Sequence, residues 1–381
     1  MKVLIDISNI IPGKGGSGGG VAVYANNLLE QLDLLIEDSP VSIVCIKNKN
    51  NVSKTYRNIK ALATSYNTSN FFTRLLWLNI YLPFYCLKNK ISLLHRVVPE
   101  LPLIKVGKYI CTLHDLMYRF HLQKSSKSNI TFLHKVKSLC YGMILRKSIS
   151  SADYILVPSY FIKSEAIKVF GLNPSKIEAT HLGVSKLEFD ETKIRKKDVG
   201  EKFKFIVVAG FYPHKGHAKV LELAKALIKK GGINFSITFR GNPFDLKVVD
   251  KLKQEIEKNK LEDYIYFDDF KKSHDLKNIY NSFDSLLLLS EYEGFGLPVL
   301  EAQIFGLPVI CSDIEIFKEV LDDSAIFVDT GDVEDSCARI INLIKDDCLR
   351  KSLIEKGFKN CERFSWRNMA TETMLAYTQL I

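Results

Sequence analysis

The chain has 381 residues, of which 46% are hydrophobic and 25% are charged. This length favours two domains, and the ordinary apolar fraction excludes a disordered, collagen-like or fibrous chain. The formal net charge is +10, yet residues 1–190 hold 24 Lys and Arg against 12 Asp and Glu, so the basic excess lies in the first half. Such an asymmetry suggests an anionic partner, either nucleic acid or a membrane surface, with a lysine-rich solvated face as the alternative.

The sequence shows no signal for secretion or for a membrane span. Residues 1–9 alternate into a strand and lack the apolar core and cleavage site of a signal peptide. Eight cysteines are scattered without a C-x-x-C pair, so we expect reduced thiols that pack in the core of a cytosolic protein. The most apolar stretch, residues 71–87, contains Arg74, Asn79 and Pro83. It is too short to span a bilayer, so we expect a helix plus a turn, packed in a core or lying at an interface.

The first half begins as a strand, a glycine-rich loop at 13–20 and a helix. Strands that alternate with helices predict a parallel, doubly wound α/β sheet. The predicted strands of this half are 3–7, 41–46, 108–116 and 152–159, and the predicted helices are 21–35 and 160–171.

A second series of the same kind follows a charged linker candidate at residues 186–203. The chain is therefore predicted to hold two Rossmann-like doubly wound domains, with ligands at the carboxyl ends of the strands and in a cleft between the halves. The predicted strands are 203–210, 234–241, 264–270, 284–290, 307–313 and 325–329, and the predicted helices are 218–231, 248–259 and 298–306.

The most informative segment places Glu293 and Glu301 on either side of the sequence GFGLP, with seven residues between the two acids. Gly294 and Gly296 have no side chain that would block a close ligand. Taken singly, Glu301 could be a carboxylate that favours the helix dipole and Glu293 a surface charge.

A helix is expected to begin near Pro298, because proline suits the first turn. The backbone N–H groups of residues 294–299 would then converge at the helix N-terminus, where the dipole favours a diphosphate. Glu301 is expected in the first turn, within reach of ribose hydroxyls, and Glu293 within reach of a sugar beyond the phosphates.

This segment resembles the hallmark of the retaining GT-B glycosyltransferases of family 4, in which E-x7-E surrounds a GFGLP-like loop and precedes a G-x-P-V strand. Residues 293–309 match that pattern, and other segments match in order along nearly the whole chain. In the first half, Gly19, Gly20 and Tyr24 match G-G-x-x-x-Y, His114 and Asp115 match T-x-H-D, and a strand that begins with Ala-Asp ends at Ser159. In the second half, Pro213 and Lys215 match P-x-K, and a closing helix is matched at 364–380.

The resemblance implies an acceptor-binding domain at 1–187, a nucleotide-sugar-binding domain at 203–364, and a helix at 365–381 that crosses back to the first domain. It implies catalytic roles for His114, Glu293 and Lys215. The donor-binding residues that it implies, some of them weakly, are Gly19, Gly20, Lys215, Gly241, Gly294, Phe295, Gly296, Leu297 and Glu301, with Asp115 and Ser159 as weak acceptor or cleft candidates.

Lys215 follows a strand, so its ammonium could stabilise a departing diphosphate; a solvated loop lysine is the alternative. Many relatives carry an arginine about five residues earlier, where this chain has Gly210, so a second phosphate cation is absent or comes from elsewhere. His114, beside Asp115, is expected to hydrogen-bond the transferring sugar, with a capping turn as the alternative. Gly19 and Gly20 would let the backbone approach the diphosphate and the acceptor, with a merely flexible loop as the alternative.

Other chemistries fit the sequence less well. The glycine loop lacks the G-K-[ST] ending of a phosphate-binding loop, and neither H-E-x-x-H nor Asp-x-Asp occurs in the chain. No nucleic-acid-binding motif is present. We therefore expect no cofactor and no metal, with Lys215 and a helix N-terminus in place of the cation.

The resulting hypothesis is a hexosyltransferase that moves a sugar, with retention, from a UDP- or GDP-linked donor to an acceptor hydroxyl. A lipid-linked glycan of bacterial O-antigen or capsule synthesis is the expected acceptor. Segments 70–96 and 119–147 would lie on anionic lipid at the inner face of the cytoplasmic membrane, or pack under a solvated basic face. An epimerase or a non-catalytic sugar-nucleotide binding protein of the same architecture remains an alternative.

Overall fold

The structure is a computed structural model, and it divides the chain into two compact units. The first unit is Met1–Gly183 with Ser365–Ile381, and the second is Val184–Phe364. The residues described are 1–10, 19–37, 39–50, 55–66, 68, 70–118, 132–184, 200–243, 246–268 and 276–380, with the backbone alone for 71 and 132–141.

Each unit is built on one parallel sheet. The first sheet has the order β3-β2-β1-β4-β5-β6-β7 and the second has the order β10-β9-β8-β11-β12-β13. The strands are β1 Lys2–Ile7, β2 Ser42–Asn48, β3 Lys60–Thr64, β4 Leu93–Arg96, β5 Lys108–Thr112, β6 Tyr154–Val157, β7 Ile177–Ala179, β8 Phe203–Val208, β9 Phe235–Arg240, β10 Ile265–Asp268, β11 Ser285–Leu288, β12 Val309–Ser312 and β13 Ile326–Val328.

The strand order reverses beside the first strand of each sheet, between β1 and β4 and between β8 and β11. Loops that leave the carboxyl ends of two such strands diverge to opposite faces and leave a crevice for a ligand. The prediction of two Rossmann-like α/β domains is therefore confirmed.

The helices cover the sheets through apolar faces, and the central strands are buried on both sides, whereas the edge strands β3 and β10 are partly exposed. One helix shows how local sequence sets the limits: Ser159 caps its first turn, and Gly171 ends it with a φ of +67°. The helices are Gly20–Leu35, Phe71–Leu76, Leu82–Lys88, Phe132–Ser151, Tyr160–Phe170, His217–Lys230, Leu246–Lys258, Leu276–Tyr280, Leu297–Ile304, Glu315–Leu321, Val333–Lys345, Asp347–Cys361 and Trp366–Gln379, with short 3₁₀ turns at Pro174–Lys176 and Pro213–Lys215.

The helix Trp366–Gln379 belongs to the first unit and packs on the helix Gly20–Leu35. The chain passes from one unit to the other after residue 183 and back again after residue 364. These two segments are joined by a hydrogen bond from the Val184 N–H to the Phe364 carbonyl oxygen. Gly183 must be glycine there, because an added Cβ would lie 2.0 Å from the Trp366 nitrogen. Most of the predicted linker, residues 186–199, lies outside the described residues.

Three strands were missed by the sequence analysis, namely β3, β4 and β7. The turn expected within residues 71–87 was wrong, because residues 71–88 form one continuous helical run. Its middle, Trp77–Tyr81, is a π-helix, and Pro83 is the second residue of the α-helix that follows, where the absent N–H is tolerated.

Within the described residues, no helix combines the length and the apolarity needed to cross a bilayer. The described thiols are unpaired, and six of them are buried as expected for packing residues. Cys348 is the exception, since it is exposed.

Gly241, predicted as a donor-binding residue, has a packing reason to be glycine. It follows β9, where an added Cβ would lie 1.8 Å from the carbonyl oxygen of Ala209 at the end of the adjacent β8. The ends of these two strands therefore approach each other more closely than any other residue type would permit.

We predict that Gly241→Ala lowers the free energy of unfolding by about 1–3 kcal/mol, because the neighbouring backbone must move to admit the methyl group. The thermal unfolding midpoint should fall accordingly. Gly20→Ala is the matched control, since nothing lies within 4 Å of its added Cβ. Equal midpoints for the two variants would contradict the packing argument.

Candidate active site

Two loops meet where the strand order of the second sheet reverses. One follows β8 and carries Lys215; the other follows β11 and carries Glu293. The Glu291 N–H donates to the His214 carbonyl oxygen at 2.8 Å. Gly216 has a φ of +74°, and an added Cβ would lie 1.9 Å from a backbone oxygen of the strand segment that precedes the second loop. Only glycine permits this approach, which sets the spacing of the two loops.

The Lys215 ammonium lies 2.7 Å from both carboxylate oxygens of Glu293. The Ser290 hydroxyl donates to Oε1 of the same carboxylate at 2.8 Å. The side chains of Lys215 and Glu293 are 19% and 12% exposed, so the pair is largely shielded and yet open to a ligand. Burial and the Lys215 charge lower the pKa of His217 to about 4, so His217 is neutral at neutral pH and adds no positive charge beside Lys215.

The turn between the two glutamates presents backbone rather than side chains. Phe295 and Leu297 are buried, and the Phe295 ring packs edge-on against the core ring of Phe364. Gly296 has a φ of +95°, and an added Cβ would lie 2.8 Å from the Phe317 ring. If Phe295 and Leu297 bind a donor, they do so through their backbone.

The helix after this turn begins at Leu297, one residue before Pro298. Pro298 has no N–H, and the Val299 N–H already donates to the Gly296 carbonyl. Residues 298 and 299 therefore drop out of the predicted amide cluster at 294–299, because Pro298 has no N–H and the Val299 N–H is already bonded.

Glu301 was expected in the first turn, but it is the fifth residue of the helix and lies just beyond that turn. Its Oε2 accepts a hydrogen bond from the Tyr280 hydroxyl at 2.9 Å. Burial raises the pKa of Glu301, and the Tyr280 hydrogen bond opposes that rise. Tyr280 is fully buried and stacks on Phe305, so its hydroxyl has a fixed position. Sequence analysis missed this residue, because no local pattern links position 280 to position 301.

Gly210 leaves one phosphate cation unaccounted for, and the structure offers Arg240 nearby. Arg240 ends β9, beside β8, and its guanidinium is bonded to Asp268 on β10. The guanidinium is buried and already engaged by that carboxylate. Arg240 therefore does not supply the missing cation in this arrangement.

In the first unit, His114 follows β5 and its Nε2 lies 2.9 Å from the Val97 carbonyl oxygen. A carbonyl oxygen only accepts hydrogen bonds, so Nε2 carries the proton and Nδ1 of the neutral ring is an acceptor. Burial lowers the pKa of His114, against the Val97 bond and the Asp115 charge, so the neutral ring prevails at pH 7.

The ring of Tyr24 holds His114 from the side, with ring centres 4.9 Å apart in an edge-to-face contact. Tyr24 begins a buried chain of hydrogen bonds, through Thr112 and His95 to the closing helix at Tyr377. Burial lowers the pKa of His95 to about 3, so this ring is also neutral. The closing helix is thereby connected to the packing around His114.

Asp115 and Ser159 form local hydrogen bonds at their own turns. Asp115 Oδ1 accepts from the Met117 N–H at 2.9 Å, and Asp115 is exposed. Ser159 is buried, and its hydroxyl accepts from the Ile162 N–H at 3.2 Å. Both side chains therefore have a capping function that accounts for their position.

Gly19 and Gly20 lie at the start of the first long helix and are exposed. Nothing lies within 4 Å of a Cβ added to either residue, and neither has a positive φ. The fold itself does not require glycine at these two positions. The rest of the glycine loop, up to residue 18, lies outside the described residues.

The structure thus brings Lys215 and Glu293 together with the turn that starts at Gly294. It places Glu301 with Tyr280 instead, and it places His114 with Tyr24 in the other unit. Among the residues that the structure describes, no three His, Cys, Asp or Glu side chains cluster as a metal site would require.

Comparison with known proteins follows the same division of the chain. Residues 18–186 match the model of Glycosyltransferase Family 4, and residues 189–360 match the model of Glycosyl transferases group 1. The chain is 26% identical to O-antigen chain mannosyltransferase B of Escherichia coli over 282 residues, which are 72% of this chain and 71% of that protein.

Two solved structures share the fold over nearly all of the chain. WaaG, a glycosyltransferase involved in lipopolysaccharide biosynthesis, superposes with a TM-score of 0.71 at 12% identity and covers 97% of this chain and 98% of its own. HepE from Anabaena, solved in complex with UDP-glucose, gives a TM-score of 0.70 at 14% identity and full coverage of both chains.

The two family matches together span most of the chain, and the solved relatives share both sheets. The chain belongs to the GT-B glycosyltransferases, with a Glycosyltransferase Family 4 domain followed by a Glycosyl transferases group 1 domain.

Proposed function

We propose that the protein is a retaining hexosyltransferase that moves a sugar from a nucleoside diphosphate donor to an acceptor hydroxyl. The observation that carries this proposal is the Lys215–Glu293 pair, which lies at the strand reversal of the second sheet beside the glycine turn. The UDP-glucose complex of HepE supports a nucleotide-linked donor, and the E. coli relative supports mannose as the first sugar to test.

The pair explains how a donor would enter. A diphosphate is the stronger anion, so it would draw the Lys215 ammonium away from Glu293. Glu293, still held by Ser290, would then accept hydrogen bonds from the donor sugar. Each side chain keeps the other in position until a ligand with both a phosphate and a sugar replaces the ion pair.

The chemical step needs no covalent intermediate on the protein. The bond between the anomeric carbon and the phosphate oxygen breaks, and the acceptor oxygen bonds to that carbon on the same face. The acceptor proton passes to the departing phosphate, whose charge Lys215 and the amides at 294–297 stabilise. We propose that this charge stabilisation takes the place of a metal ion.

His114 would contribute through its unprotonated nitrogen. In the neutral tautomer Nδ1 accepts a hydrogen bond from a sugar hydroxyl, and the ring adds no positive charge beside a carbon that becomes cationic. Glu301 would bind the ribose with the oxygen that Tyr280 leaves available.

We further propose that the acceptor is a lipid-linked glycan of bacterial surface polysaccharide synthesis, used at the inner face of the cytoplasmic membrane. The similarity to an O-antigen mannosyltransferase and to the lipopolysaccharide enzyme WaaG supports this acceptor class. A screen of UDP- and GDP-sugars for thermal stabilisation, followed by transfer assays, tests donor and activity together. Donor binding without transfer would favour a binding protein, and conversion of the donor sugar would favour an epimerase.

Glu293→Gln should reduce kcat/KM by about 100-fold, because the amide loses the charge that orients the donor sugar. Thermal unfolding should change less than activity, since glutamine keeps the size of the side chain and an oxygen that accepts from Lys215 or Ser290. Glu291→Gln, two residues earlier on the same loop, is the matched control and should keep full activity. Unchanged turnover in Glu293→Gln would refute the assignment of this residue.

Tyr280→Phe should raise the donor KM about tenfold with little change in kcat, because Glu301 loses the hydrogen bond that orients it. That bond also opposes the rise in the Glu301 pKa, so its removal raises the pKa further. Donor binding should therefore weaken at a higher pH in the variant than in the wild type when pH is lowered. Tyr266→Phe, an exposed tyrosine of the same unit, serves as control; an identical pH profile for Tyr280→Phe would contradict this role.

His114→Ala should reduce kcat by about 100-fold, since a hydrogen bond to the reacting sugar is lost. In the wild type, kcat should stay level as pH falls through 6.5 and decline only below that value, because the His114 pKa is lowered. His181→Ala, in the same unit, should leave both kcat and the profile unchanged. A wild-type decline centred at or above pH 6.5 would count against a neutral, hydrogen-bond-accepting His114.

A further inference from the structure

The helical run 71–88 carries apolar side chains on its outer face. Leu76, Ile80, Phe84 and Leu87 are 49%, 57%, 64% and 63% exposed. Single exposed apolar residues are ordinary on a protein surface, whereas a continuous line of them is not. We call this line the outer stripe.

The π-helix keeps the outer stripe straight. Four residues advance slightly more than one turn in an α-helix, which has 3.6 residues per turn, and slightly less than one turn in the wider π-helix. The π turn Trp77–Tyr81 therefore reverses the drift that the flanking α-helical turns produce. The apolar side chains stay on one face instead of winding around the helix.

The opposite face of the same run already supplies the core of the unit. Leu78, Leu82 and Cys86 are buried, and the Trp77 indole N–H donates to the buried Asp6 carboxylate at 3.2 Å. Because this inner face satisfies the needs of folding, the outer stripe is not required to anchor the helix.

A neighbouring loop enlarges the apolar surface. Leu103 and Ile104 are 69% and 61% exposed, and the Leu103 N–H donates to the Asn79 side chain at 2.9 Å. This bond places the loop beside the middle of the helix. We call the outer stripe together with Leu103 and Ile104 the apolar surface.

The chain segment that carries the apolar surface is strongly basic. Residues 51–150 hold 16 Lys and Arg against two acids, Glu100 and Asp115. Lys88 and Lys90 are exposed just beyond the helix, and Lys105 follows Ile104. Lys105 is paired with Asp153, whereas the carboxylate of Glu100 is turned inward to Arg74 and Arg96.

An apolar line bordered by lysines matches a bilayer with anionic headgroups. The apolar side chains would enter the boundary between headgroups and acyl chains, while the lysines contact the phosphates. A second copy of this chain would place the same basic border against itself, and like charges repel. Charge therefore favours a lipid surface over self-association.

We propose that the apolar surface is the membrane-docking face of the first unit and that its partner is an anionic lipid bilayer. This inference deepens the proposed function, because a lipid-linked acceptor is presented at such a bilayer. It depends on surface chemistry alone, so binding can be measured without donor, acceptor or turnover.

The full chain should sediment with vesicles of equal parts phosphatidylglycerol and phosphatidylcholine, and much less with pure phosphatidylcholine. The double variant Ile80→Gln/Phe84→Gln should bind the mixed vesicles about tenfold more weakly or worse, since two apolar anchors are lost. Lys88→Glu/Lys90→Glu should weaken binding at low salt and matter less at high salt. Both variants should keep the wild-type unfolding midpoint, because the altered side chains are exposed.

Leu34→Gln/Leu246→Gln is the matched control, since both leucines are as exposed as the stripe residues but lie elsewhere. It should bind vesicles as the wild type does. Equal binding by the stripe variant and the wild type would overturn the proposal, as would no binding by the wild type. A dimer in analytical ultracentrifugation that the stripe variant abolishes would overturn it in favour of self-association.

The two proposals fail separately. Transfer to a soluble acceptor without vesicle binding would contradict the membrane-docking proposal and support the proposed transferase. Vesicle binding without any transfer would support membrane docking and contradict the proposed transferase.

Discussion

The close approach of two loops at the strand reversal of the second sheet is the constraint on which the candidate site depends. Gly216 allows the loop after β8 to touch the backbone at the end of β11, and the Glu291 amide fastens that contact. Lys215 directly precedes Gly216, and Glu293 lies two residues after Glu291. The backbone contact between the two loops therefore brings these two side chains within reach of each other. A side chain at position 216 would separate the loops and dissolve the pair without touching either charged residue.

In the first unit, buried polar groups rather than glycines hold the surroundings of His114 in position. Tyr24, Thr112, His95 and Tyr377 form an unbroken chain of hydrogen bonds, in which each buried polar atom has a partner. One end of the chain lies on the closing helix and the other packs against His114. The last helix of the chain is thus part of the support of a candidate catalytic residue, which gives a physical reason for its return to the first unit.

Sequence patterns identified what is encoded locally. The long apolar strands depend on neighbours in sequence and lie close to their predicted positions, and the glycine turn at Gly294 precedes a helix as predicted. The strands β3, β4 and β7 were missed because small or polar residues interrupt their short apolar runs, KALAT, LLHR and IEA. Tyr280 and the His95 chain join residues far apart in sequence, and a single sequence holds no record of such contacts. Glu301 lies just beyond the expected first turn because the helix begins at Leu297, one residue before the proline from which its start was predicted.

The charge balance of the two halves bears on the proposed donor site. Residues 191–381 hold 29 Lys and Arg against 31 Asp and Glu, so this half offers no general attraction for a diphosphate. Recognition there must come from groups at contact distance, namely one shielded lysine and the amides before a helix. The basic half has the opposite property: its excess charge acts over the distance of a Debye length, which suits a broad anionic surface better than a single small ligand.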